Sequence, residues 1–123
     1  MKNQFLGLVA IVISFGWLIE GAIADTLTTK GFKIDIQVNC EEGNVTCNRV
    51  SYRAKDLKTG KSLRLSGKTI HSLCADGVTP CRFLGYEFRN RNYRYIVTDG
   101  GLLEVYKGEK LLVSQQGTWG RSN

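Results

Sequence analysis

The chain has one proline, one histidine and one methionine in 123 residues, and beyond Asp25 no stretch keeps a helical period. The missing period excludes a helix bundle and a layered α/β architecture for that region. The lone histidine, His71, excludes a pair of imidazoles, and no serine motif stands near it to complete a nucleophilic relay. There is no Cys-x-x-Cys redox pair and no glycine motif of the kind that cradles phosphate. Internal repeats and low-complexity segments are absent as well. The one long apolar run, residues 5–19 (FLGLVAIVISFGWLI), falls short of the roughly 20 residues that span a bilayer.

That run has the organisation of an export signal instead. Lys2 precedes it, Glu20 ends it, and Ala22-Ile23-Ala24 supplies the small residues that a signal peptidase reads. Residues 1–24 are therefore expected to be a cleavable signal peptide. Residues 25–123 are expected to form a single mature domain outside the cytoplasm, periplasmic or secreted, with no stable membrane span after cleavage. No cysteine lies near the cut, which argues against a lipid anchor. The signal takes one base, Lys2, and one acid, Glu20, so the formal charge of +6 belongs entirely to the mature domain. A basic exported protein is drawn to anionic polymers and surfaces, although a charge of this size also serves plain solubility.

All four cysteines follow the expected cut. Cys40 and Cys47 enclose six residues (EEGNVT), and Cys74 and Cys81 enclose another six (ADGVTP). Four cysteines permit three pairings. The turn formers Gly43-Asn44 in one segment, and Asp76-Gly77 with Pro80 in the other, favour Cys40–Cys47 and Cys74–Cys81. Zinc sites place cysteines two to four apart, so no metal is expected, and an even cysteine count leaves no spare thiol. No cofactor is expected either. Asn44-Val45-Thr46 is a glycosylation sequon, meaningful only in a eukaryotic host.

The mature region alternates with a period of two. In residues 32–38 (FKIDIQV), Phe32, Ile34, Ile36 and Val38 share one face; in residues 49–55, Val50, Tyr52 and Ala54 do so. Further strands are expected over 61–65, 69–73, 82–89, 93–98, 102–106 and 110–115, with Gly67-Lys68 punctuating and Leu84, Tyr86 and Phe88 facing inward together. Two- to four-residue turns join the last of these, so they form an antiparallel meander. The expected fold is all-β: about eight short strands in a small disulfide-stapled barrel, slightly preferred over a two-sheet sandwich because closure removes exposed edges. The tail is expected to place Trp119 over one barrel end and to fray from Arg121 onward.

Two readings of function follow. In the first, the domain is a non-enzymatic binding, inhibitor or envelope accessory module whose partner is an envelope or extracellular protein or an anionic polymer. Its candidate contacts are Arg89, Arg91, Arg94 and Tyr93, in a segment where cations and aromatic rings interleave as they do in grooves for anionic chains. Simple strand alternation, with rings inward and arginines outward, produces the same pattern. In the second reading, the domain is a small secreted hydrolase such as a nuclease, with His71 as base, Glu87 as acid and Arg89 on phosphate.

Overall fold

Branched and aromatic side chains at alternate positions, broken by glycine- and asparagine-bearing turns, yield nine strands in the computed structural model, which describes residues 24–122. They are β1 (Ala24–Thr28), β2 (Phe32–Val38), β3 (Val50–Asp56), β4 (Ser62–Leu73), β5 (Pro80–Asn90), β6 (Tyr93–Thr98), β7 (Leu102–Lys107), β8 (Lys110–Gln116) and β9 (Thr118–Ser122). Residues 1–23, which hold nearly all of the expected signal segment, and Asn123 lie outside the described residues.

The strands form one sheet in the order β8-β7-β6-β5-β4-β3-β2-β1-β9, and the sheet curls into a nearly closed antiparallel barrel. Closure comes from a single device. Only Gly117 separates β8 from β9, so one extended run lies against β7 with its first half and against β1 with its second. At the crossing, a β-carbon on Gly117 would lie 2.7 Å from the Thr28 carbonyl oxygen and 2.8 Å from Leu27 Cδ1. Only glycine lets the two backbones pass so closely. Gln115 stitches the same seam: its Oε1 accepts from the Thr29 hydroxyl at 2.7 Å and from the Gly31 N–H at 3.0 Å.

Inward residues of opposite strands form the core of the barrel. Leu27, Ile34, Val50, Phe88, Val97 and Leu103 are fully buried, and Tyr52, Tyr86 and Ile36 pack around them. Each aliphatic or aromatic side chain so buried contributes about 1.5–3 kcal/mol relative to exposure.

Three expectations are corrected. Residues 61–65 and 69–73 are one strand, β4, because Gly67 does not punctuate it: the glycine faces the Phe88 ring and the Glu87 carbonyl, where a β-carbon would overlap both. Leu84 does not join Tyr86 and Phe88. A register shift at Ile70/His71, opposite Gly85, turns Phe83 onto the core instead. The tail is ordered into β9 as far as Ser122, with Arg121 paired to Asp25, so fraying does not begin at Arg121. Trp119 packs partly against the core and donates its indole N–H to the Asp99 carbonyl at 2.9 Å.

Both disulfides form as the turn chemistry favours, Cys40–Cys47 with Cα atoms 5.9 Å apart and Cys74–Cys81 with Cα atoms 5.1 Å apart. They staple the β2–β3 and β4–β5 connections, which lie at the same end of the barrel. Each closed loop contributes about 2–3 kcal/mol through the entropy of the unfolded chain. The first loop is also docked on β4, since Cys47 N–H donates to Thr69 Oγ1 at 2.9 Å and Thr69 N–H to the Cys47 carbonyl at 2.8 Å. In the second, Asp76 caps the turn by accepting from Val78 N–H at 2.9 Å and Thr79 N–H at 2.8 Å. The hydrogen bonds from Thr79, side chain first, hold the Asp76 carboxyl at a pKa of about 2.

The core tyrosines make the fold sensitive to alkali. Burial pushes the Tyr52 hydroxyl well above the ordinary phenol value, with the neighbouring Tyr95 adding to it; burial likewise raises Tyr86, helped by Asp25 and Asp99, and Tyr95, helped by Tyr93. A folded-state pKa above the unfolded one means stability that is complete below pH ~10 and falls as the pH rises beyond it. Tyr52→Phe is expected to unfold at a higher pH than the parent, measured by circular dichroism alongside phenolate absorbance. An unchanged alkaline midpoint would rule Tyr52 out as a contributor.

Candidate anion-binding face

Side chains that alternate away from the core on β2 to β6 form a continuous outer surface, and its composition is lopsided. Lys33, Arg53, Lys55, Arg64, Lys68, Arg89 and Arg94 point outward there, against two carboxylates, Asp35 and Glu87. Most of the +6 charge of the protein is therefore carried by this surface.

The strand register sharpens the imbalance. Lys33 stands directly opposite Lys55, Arg53 opposite Arg64, and Arg89 opposite Arg94. Like charges directly opposed across an antiparallel pair are destabilising, by up to roughly 1 kcal/mol each. The two acids relieve this in part. Asp35 lies 3.7 Å from Arg53. Glu87, whose side chain is only 12% exposed, is shared by Arg89 at 3.3 Å, Arg94 at 3.6 Å and Lys68 at 3.9 Å. One carboxylate thus holds three cations in place without neutralising them. The Arg94 guanidinium also sits over the Tyr106 ring at 4.8 Å, which fixes its plane.

Arg91 occupies the two-residue turn between β5 and β6 with φ of 59°. A side-chain-bearing residue in the left-handed region costs about 1–2 kcal/mol, and glycine or asparagine is the usual occupant. The β4–β5 ladder begins at Gly67 opposite Phe88, so Arg91 stands beyond it, at the tip of the β5–β6 hairpin.

The expected contacts are therefore divided. Arg89, Arg91 and Arg94 come together on the outer face or at its tip. Tyr93 does not join them: as the neighbour of Arg94 in β6 it faces the other way, packs against the core, stacks on Tyr95 at 6.4 Å and lies under the Lys107 ammonium at 5.7 Å. Arg53, Arg64, Lys33 and Lys55 are no motif of the sequence, although the alternation of FKIDIQV, RVSYRAK and SLRL puts each on a polar face. What the sequence did not display is which of them oppose one another.

The hydrolase constellation is not assembled. His71 lies near the disulfide end with its ring 5.7 Å from Phe83 and its Nε2 3.0 Å from Thr69 Oγ1, while its buried Nδ1 has no hydrogen-bond partner. Glu87 is on the outer face among its three cations, opposite Lys68 rather than His71. Among the described residues no group of three or more histidine, cysteine or carboxylate side chains could hold a metal ion, and no cysteine is free.

The structure thus defines a small all-β, disulfide-bonded barrel with a cationic outer face. Compared with known proteins, the chain matches no family model, and no characterised protein or solved structure is similar enough to it to pair.

Proposed function

We propose that this is an exported, non-enzymatic binding module that recognises an anionic polymer through the outer face of β2 to β6. The observation that carries the reading is the set of three directly opposed like-charge pairs. A surface optimised for stability alone would alternate its signs, so the retained repulsion is best accounted for by a ligand that supplies the missing negative charge. The strained Arg91 at the turn supports the same reading, because a backbone cost is kept where a cation is presented. Export is supported by the two disulfides, which persist in oxidising compartments. The cut falls in β1, at Ala24–Asp25, and the mature protein is expected to begin at Asp25, a mass that spectrometry of the exported form reads directly.

Titration with linear polyphosphate at several salt concentrations tests the face. Affinity should fall steeply with salt, as counterion release demands. Arg53→Gln with Arg64→Gln should weaken binding about tenfold, at roughly 0.7 kcal/mol per cation. The same pair of changes should leave thermal stability equal or slightly higher, because it removes a repulsion. Arg91→Asn should behave likewise, losing affinity while keeping the left-handed turn. Binding that ignores salt, or a double variant that binds as the parent does, would sink the proposal.

A further inference from the structure

The barrel has a second, chemically different opening at the end away from the disulfides. We infer that a cavity of about 270 Å³ there binds a small apolar carboxylate, its hydrocarbon part inside the barrel and its head at Lys61. The walls are Phe32, Ala54, Leu63, Leu103, Val105 and Val113, and the rings of Tyr52 and Tyr95, 5.6 Å apart, stand among them. This mouth, open on one side to solvent, has room for about nine waters. It persists because β3 places Ala54 on its wall, between Ile34 and Leu63 in register, where a larger side chain would fill it. A small barrel with an unfilled apolar mouth is suited to one small ligand.

The rim decides the sign of the guest. It carries Asp56, Lys61 and Ser62. Asp56 turns Oδ1 to the β3–β4 turn, accepting from Lys58 N–H at 2.8 Å and Thr59 N–H at 3.1 Å. The Lys61 backbone is held in that turn too, its carbonyl accepting from Asp56 N–H at 2.8 Å. The Lys61 ammonium, however, has no ion-pair partner among the described residues. The Ser62 hydroxyl stands beside it as a further donor. An uncommitted cation and a hydroxyl over an apolar pocket complement a carboxylate with a tail of roughly ten non-hydrogen atoms, a size that fits the volume. Ligand efficiencies for molecules of that size give a Kd of roughly tens to hundreds of micromolar.

Calorimetry on the oxidised mature domain with octanoate, octanol and octylamine tests the site. Octanoate should bind best and octylamine worst. Lys61→Gln should weaken octanoate at least fivefold and leave octanol unchanged. Ala54→Leu, which fills the cavity, should abolish binding of all three while the thermal midpoint holds or rises; if that variant fails to fold, Val113→Phe plugs the same space from β8. Arg53→Gln with Arg64→Gln should leave octanoate binding untouched, so failure here and failure of the polymer reading are separable. Undiminished octanoate binding by a folded plugged variant, or no binding by the parent at millimolar octanoate, would overturn the assignment.

Discussion

Alanine at Phe88 is expected to lower the unfolding free energy of the oxidised domain by about 3–5 kcal/mol, a third or more of what a domain of this size possesses. Phe88 is fully buried. Its ring lies 4.8 Å from that of Tyr52 and 6.4 Å from that of Tyr86, and across the ladder it fills the space that Gly67 leaves open. Nothing nearby can move in to replace it. Gly67 has no side chain, and Tyr95, its partner on β6, is held by a strand bonded on both sides. The cavity would therefore stay open and the full cost would be felt. Urea denaturation followed by circular dichroism measures it; a loss below about 1 kcal/mol would mean that the core relaxes around the hole.

Gly85→Ala is expected to be comparably damaging, on the order of 3–5 kcal/mol, for a different reason. Gly85 has φ of 148°, a conformation that side-chain-bearing residues avoid, and a β-carbon there would collide with the Val97 carbonyl oxygen and approach the Thr98 Cα to 2.8 Å. Backbone strain and overpacking then add. Both obstacles are main-chain atoms of a central strand, so neither can swing aside. The control is Gly100→Ala, whose new methyl group meets open space and whose effect should stay within about 0.5 kcal/mol. If the two alanine variants melted together, the bulge would not be holding Phe83 and Tyr86 on the same inner surface.

These two positions also show where patterning stops being readable. Strands such as FKIDIQV and LLEVYK are legible because one face is buried and the other wet, and their period of two survives in the sequence. Glycine is ambiguous: Gly67 reads as punctuation and Gly85 as an ordinary member of the strand over 82–89, yet each sits inside a strand where another backbone comes close. The elements β1 and β9 carry no strand signal in the sequence. ADTLT and TWGRS are too short to carry a period; β1 is held between β2 and β9, and β9 is held by β1 from the opposite end of the domain. The cationic site follows the same logic. Arg89 and Arg91 stood out as the tip of a hairpin, and Arg94 followed them, but the Arg53–Arg64 and Lys33–Lys55 oppositions arise only once separate strands are set in register. Tyr93 neighbours the arginines in sequence, and the pleat turns it to the other side.

The run through Gly117 gives the barrel an order of assembly. Residues 118–122 are the last described, and they supply the partner that β1 requires at the other extreme of the domain. A growing chain can build the meander from β1 to β8 as it emerges, but the outer edge of β1 stays open until β9 arrives. Completion is thus delayed until the last described strand is available, so the ends of the sheet meet only at the final step of assembly.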